Sequence, residues 1–346
     1  MTIHRRDVIL AALGLALVAR PQWPRAQEAR LAHGIAPDGG RADQTAILQD
    51  AVDAAAKSGT PLVLPPGVYA TSRLKLQSGT HLVGVPGRSI LRARAKGCGL
   101  LAITAAKDIR VEGLILDGRS NSGDGAMLVA TEVEQLEVVS CQVLGARGDG
   151  LALRCVSGRI AACDIGSCRN IALVSEDPRD LEVAGNHIHD CGDIGILVRR
   201  SKSGGTGSTI IADNIVERVA TGIAVDGQVG GARLAVIQAN LIRNLFFRKT
   251  VDPRGNGIAV EANSVVTGNV IENVPGFGIV AGRARHLRDV SVSENVVLNA
   301  YIGIGIPAHR PAGSTLITGN RISGAENGAI RAMNGLTPIG PDLALS

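Results

Sequence analysis

One six-residue pattern, V-x-x-N-x-I, recurs through the second half of the chain and restricts its fold more than any other feature. It reads VAGNHI from 183, IADNIV from 211, IQANLI from 237, VTGNVI from 266, VSENVV from 292 and ITGNRI from 317. The asparagines are Asn186, Asn214, Asn240, Asn269, Asn295 and Asn320, spaced 28, 26, 29, 26 and 25 residues apart. A second pattern, G-I-x-V, follows each of them and opens at Gly195, Gly222, Gly257, Gly278, Gly303 and Gly328, while GLAL from Gly150 carries the series backward.

Each repeat holds short runs in which apolar residues alternate, the mark of strands with one buried face. Turn residues separate the runs and no helical segment lies between them, which excludes βαβ units. One such coil cannot bury its apolar face alone, so copies must stack, each strand pairing in parallel with its copy one repeat away. A coil of about 25 residues suits three sides, and parallel connections are right-handed. The expected fold is therefore all-β, a right-handed single-stranded parallel β-helix. Composition agrees: 44 glycines and only 2% aromatic residues suit a thin core of Val, Ile, Leu and Ala between tight turns. Equivalent positions stack about 4.8 Å apart, so each asparagine amide can bond its copy on the next coil. The asparagines are read as a structural ladder.

A different segment precedes the repeats. Asp43 is placed to cap a helix from Gln44 to Lys57, with Ile47, Leu48, Ala51, Val52 and Ala55 as its apolar stripe and Gly59 as its stop. LVLPPGVYAT then begins the strands. Residues 36–82 are assigned to this N-terminal cap and the first strands, where the helix covers an otherwise open stack of edges. Residues 83–335 are assigned to the repeats and 336–346 to a tail. The tail shows no amphipathic cap, so either the chain continues or a partner covers that end.

The first 26 residues read as an export leader. HRRDVIL at 4–10 precedes an apolar run from Val8 to Ala19, too short to span a bilayer but suited to a signal peptide. The Arg5-Arg6 pair resembles a twin-arginine signal, with His4 and Val8 at positions where Ser or Thr and Phe are usual. The formal charge is +5. Arg5, Arg6, Arg20 and Arg25 against Asp7 account for +3 of it, leaving +2 (5 − 3) on the mature part. That balance, with no basic run, excludes a nucleic-acid partner. No stable membrane span remains once the leader is removed, and the expected location is periplasmic or secreted.

ADQTAILQDAVDAAAKSGTPLVLPPGVY, residues 42–69, resembles the opening of the pectate-lyase-like β-helix superfamily. The leader with the V-x-x-N-x-I repeats looks more narrowly like a family of twin-arginine-translocated repeat proteins. The superfamily resemblance implies a polysaccharide lyase, glycoside hydrolase, C5-epimerase or non-catalytic adhesin, since fold alone does not select among them. The DPHD run of alginate-type epimerases is absent, DPRD at 177–180 lacking its histidine, and so are the G-H-G motif of polygalacturonases and any G-x-S-x-G elbow. Two readings stay open: an exported enzyme acting on acidic polysaccharide, and a non-catalytic envelope protein that binds glycan or a partner.

The cysteines follow the repeat. Cys141 and Cys163 occupy the asparagine position of earlier coils, and Cys168 and Cys191 a position held elsewhere by Val219, Leu245 and Val274. They are read as reduced core residues.

The residue after each G-I-x-V should point outward. Coil by coil that position gives Arg154, Val174, Arg199, Asp226, Glu261 and Gly282. Asp226 and Glu261 should stand on adjacent coils beside Arg199, and these three are the candidate catalytic residues. Ala224 and Ala259 leave a shallow floor next to them. The stretch from Asn240 to Gly257 is longer than its counterparts and supplies Phe247, Arg248, Lys249 and Arg254 as candidate substrate-binding residues. Such a carboxylate pair can serve as acid and base on a glycosidic bond or hold Ca²⁺, and nearby cations would neutralise a uronate. The ordinary alternative is a solvated ion-pair ladder. Asp124 and Asp149 form a second acidic stack in GDG turns. His187 and His189 alternate on a strand end, and with no third ligand visible no metal is assigned to them.

Overall fold

The computed structural model describes residues 35–94, 99–118, 125–201, 207–227, 234–248, 255–282, 287–308, 313–335 and 337–344. The leader, Cys98, Asp124, Lys249 and Arg254 lie outside the described residues. About nine coils of parallel strands follow one short helix. Three strands make a coil, for example Leu181–Ala184, His187–His189 and Ile194–Arg200, followed on the next coil by Thr209–Ala212, Ile215–Glu217 and Thr221–Gly227. Stacking yields three parallel sheets, named here from the motifs. The valine sheet holds V-x-x, the isoleucine sheet N-x-I and the glycine sheet G-I-x-V. Register across the glycine sheet runs Leu151, Leu173, Ile196, Ile223, Ile258, Ile279, Ile304, Ile330.

The two motifs are coupled by sterics. A Cβ at Gly257 would stand 2.5 Å from the Gly278 carbonyl oxygen and 2.6 Å from Ile271 Cγ2. Gly222 would meet Ile242 in the same way, and Gly303 would meet Ile322. The isoleucine of one motif thus fills the space that the glycine of the other leaves open on the neighbouring coil. At the last coil Ile304 pairs with Ile330, which puts Ala329 rather than Gly328 opposite Gly303.

The asparagine ladder forms at the turn between the valine and isoleucine sheets. Asn186, Asn214, Asn240, Asn269 and Asn295 each donate Nδ2–H to the Oδ1 of the next rung at 2.9 Å. Each backbone N–H donates to the same oxygen at 3.0–3.1 Å. Cys163 extends the ladder as a donor only, its N–H reaching Asn186 Oδ1 at 2.9 Å. Cys141, Cys163, Cys168 and Cys191 are buried thiols, and no disulfide joins the described cysteines.

The helix spans Thr45–Ser58 and ends on Gly59 in the left-handed conformation, φ 68°. Gln44 holds the cap position without a side-chain bond, and the Asp43 carboxylate instead accepts from the N–H and hydroxyl of Thr45. Leu48, Ala51, Val52 and Ala55 are buried against the first coil, whereas Ile47 is 44% exposed and falls outside the stripe. At the other end Thr337–Asp342 folds back antiparallel on Ile330–Asn334, and the Asp342 carboxylate accepts the N–H groups of Ala329 and Ile330. No helix among the described residues is long and apolar enough to cross a membrane.

Candidate functional site

The outward face of the glycine sheet carries two rows that decide what the surface can do. The first is apolar: Ala152, Val174, Leu197, Ala224 and Ala259 stand in register. Leu197 is only 1% exposed although it points away from the solenoid core, and it joins Ile171, Val174, Ile194 and Ala224 in a small cluster of its own. The second row is charged. Arg154 pairs with Glu176, Glu176 with Arg199 and Arg199 with Asp226 along the ladder. Glu176 therefore occupies the place that sequence register gave to Val174. Arg199 is exposed, and its Nη1 lies 3.4 Å from Glu176 Oε1.

Asp226 and Glu261 follow Val225 and Val260, which are directly paired on adjacent coils. The Glu261 N–H donates to the Val225 carbonyl, and Glu261 Oε2 accepts from Gly227 N–H at 2.9 Å, so this carboxylate meets the backbone immediately after Asp226. Both acids are half-buried.

Where the strands of this sheet begin, the corner turns bring in two carboxyls that the repeat did not single out as a pair, Asp149 and Asp193. Burial pushes the Asp193 carboxyl above its ordinary value, and the charge of Asp149 pushes the same way against Arg248 and Arg199. Its Oδ1 is buried with no hydrogen-bond partner among the described residues. Asp149 is raised as well, mainly by burial, against a hydrogen bond from Ile171 N–H and the charge of Arg199. Two carboxyls that hold their protons more tightly than usual, each under the field of a guanidinium, are groups able to give and take a proton.

The long connection after Asn240 reaches this corner. Arg248 donates from Nη1 to the Gly192 carbonyl, one residue before Asp193. Phe246 and Phe247 precede it on the surface, 38% and 56% exposed. Of the expected binding residues, Phe247 and Arg248 are thus seen, while Lys249 and Arg254 lie outside the described residues. Asp124, the expected stacking partner of Asp149, lies outside them too. The DPRD run serves the turn: Asp177 accepts from Ser201 N–H and hydroxyl, and Asp180 from Ser208 N–H.

The model of the right handed beta helix region matches residues 125–297, half of the sequence. The chain belongs to the right-handed β-helix family. A second model, rhamnogalacturonase A/epimerase, pectate lyase-like, matches residues 32–152, the cap and first coils of the β-helix. Among solved structures, a polygalacturonase from Erwinia carotovora is similar at 12% identity and TM-score 0.62, over 86% of this chain and 94% of that one. The A-module of a mannuronan C-5 epimerase from Azotobacter vinelandii is similar at 17% identity and TM-score 0.53, over 88% and 91%. A surface adhesin of Streptococcus pneumoniae is similar at 15% identity and TM-score 0.56, over 86% and 92%. At these identities the likeness to solved structures is one of fold.

Proposed function

We propose that this β-helix protein acts on acidic polysaccharide along the outward face of its glycine sheet, as a lyase, C5-epimerase or hydrolase. The observation that carries the reading is the pair Asp149 and Asp193, both carboxyls raised by burial, beside Arg199 and Arg248. A uronate brings its own carboxylate. Arg199 and Arg248 would neutralise it, which eases loss of the proton beside that group to whichever of Asp149 and Asp193 is the carboxylate, while the other, in its protonated form, would return a proton to the opposite face or to the leaving oxygen. Asp226 and Glu261, at the far ends of the next strands of the same sheet, would bind a neighbouring sugar or a Ca²⁺ ion carried with the polymer. The similarity to a polygalacturonase and a mannuronan epimerase supports this substrate class. We further propose that the Arg5-Arg6 leader exports the folded chain. Lys at both positions should then leave precursor in the cytoplasm, and normal export of that variant would refute the route.

The test is incubation of the mature chain with polygalacturonate, polymannuronate and their oligomers, with and without Ca²⁺. Chain cleavage is read from unsaturated and reducing ends, and epimerisation from the proton NMR of C5. Asp193→Asn should abolish turnover and keep binding. Binding without turnover in the wild type would favour the non-catalytic reading, for which the Arg199–Glu176 contact within a charged ladder already speaks. Neither binding nor turnover would reject both.

A further inference from the structure

The isoleucine sheet carries a cluster that the glycan reading leaves unused. His187 and His189 lie two residues apart on the strand His187–His189, so both project outward. Their rings stack with centroids 4.5 Å apart. Asp164, in register with His187 on the preceding coil, places Oδ1 2.9 Å from His189 Nε2 and 3.6 Å from His187 Nδ1. A tetrahedral ion with bonds of about 2.0–2.1 Å holds its ligand atoms roughly 3.3 Å apart. The two distances straddle that edge, and all three ligand atoms lie within 4.8 Å of one another, close enough for side-chain rotation to close on one ion.

Each ring also has its remaining nitrogen held by another carboxylate. His187 Nε2 lies 3.3 Å from Glu217 Oε1, and His189 Nδ1 lies 2.7 Å from Asp190 Oδ2. An outer carboxylate of this kind fixes the tautomer and ring orientation of a metal-ligating histidine. The outer carboxylates are themselves clamped: Arg218 meets both oxygens of Asp190, at 2.7 and 3.0 Å, and Arg243 meets Glu217 at 2.8 Å. Gly166 completes the cradle, because a Cβ there would come within 2.4 Å of the His189 ring.

We propose that Asp164, His187 and His189 bind one divalent transition-metal ion of the zinc class, through Oδ1, Nδ1 and Nε2. Two imidazoles with one carboxylate select such an ion over Ca²⁺ or Mg²⁺, which take oxygen ligands. Side-chain exposures of 36%, 43% and 18% for Asp164, His187 and His189 leave one side open, where water takes the fourth position. His189 binds as the neutral ring with its Nδ1–H toward Asp190, so any hydrogen carried on Nε2 leaves to solvent as the ion enters. The site stands on a different sheet from the proposed glycan face, so either proposal can fail without the other.

The experiment uses untagged mature chain stripped with a chelator and titrated calorimetrically with Zn²⁺, then with Co²⁺ followed by visible absorption. The wild type should take up one ion at this site and show Co²⁺ d–d bands. His187→Ala and Asp164→Asn should weaken binding by at least about 100-fold and lose the bands, and Asp190→Asn should weaken it by about 10–100-fold. His81→Ala, on the valine sheet, is the control and should bind as the wild type does. No uptake by the wild type would overturn the proposal. So would undiminished binding by His187→Ala and Asp164→Asn, which would place the ion on other residues. Should His187→Ala misfold, Asp164→Asn and a zinc-dependent rise in the wild-type melting temperature decide instead.

Discussion

Asn240→Ala tests the interaction that holds one coil on the next. In the wild type Asn240 Nδ2 donates to Asn269 Oδ1 at 2.9 Å, Ile211 O at 3.0 Å and Gln238 O at 2.9 Å. Its Oδ1 accepts Asn214 N–H at 3.0 Å and Asn214 Nδ2–H at 2.9 Å. Alanine removes all five contacts, but the losses differ. Asn269 Oδ1 still accepts the backbone N–H of residue 240, and Asn214 Nδ2 still donates to Val183 O. Asn214 N–H is left with no replacement for its rung acceptor, and Asn214 is fully buried. An orphaned buried donor costs about 1–3 kcal/mol, and the donors lost to two carbonyls add about 1 kcal/mol. The expected destabilisation is therefore about 3 kcal/mol, a fall in melting temperature of roughly 3–6 °C for a chain of this size. Circular dichroism against temperature and urea measures it. Asn320→Ala, at the last and partly exposed rung, should cost clearly less. A change below about 0.5 kcal/mol for Asn240→Ala would mean that water or backbone movement satisfies Asn214, and the account of the ladder would fall.

Asp193→Asn should raise stability at neutral pH by about 1 kcal/mol, because it removes the negative charge from a carboxyl whose Oδ1 is buried without a partner. The folded pKa is raised above the unfolded value, so the wild type recovers this stability as pH falls through the raised pKa, and the two proteins should converge near pH 4. Destabilisation by the variant at pH 7 would contradict the assignment. Gly257→Ala should cost about 2–4 kcal/mol or prevent folding, since its Cβ would meet a backbone oxygen at 2.5 Å with Ile271 behind it. Soluble, wild-type-like melting would show that the coils can spread to admit a methyl group.

The solenoid was legible because its physics is periodic: a parallel stack repeats the same turn and the same inward positions, and sequence repeats with it. The register slipped in the coil that breaks the rules. Ala172 stands where other coils have the motif glycine, and Ser175, an inward residue with no exposure, interrupts the apolar alternation. With neither anchor visible, sequence register puts Val174 at the outward position that Glu176, two residues later, occupies. The GDG turn marks Asp149, but nothing in the sequence joins it to Asp193. The two lie in different turns two coils apart, and turn residues carry no alternation from which to infer a neighbour. The third member of the histidine cluster was hidden in the same way, because Asp164 meets His187 only through the stacking of coils.

The turn at 190–193 links both proposed sites and limits how they can be dissected. Asp190, left-handed at φ 54°, closes the isoleucine sheet and holds His189 and Arg218, while Asp193 opens the glycine sheet three residues later under Arg248. Between them Gly192 accepts from Arg248, and an open cleft of about 520 Å³ runs along the same corner past Arg147, Arg169 and Asp190. A substitution at Asp190 would free Arg218, loosen His189 and alter the charge of the cleft at once, so beyond its effect on ion binding a lost glycan turnover there would not separate the two sites. Asp164 and Asp193 are the separable handles. Asp164 meets both histidines and belongs to another coil, and Asp193 lies in the field of Asp149, Arg248 and Arg199. If ion binding falls only with Asp164→Asn and glycan turnover only with Asp193→Asn, the two sheets work independently. If each variant loses both, the corner is one site, and a glycan lying along the cleft would meet the ion and the acid together.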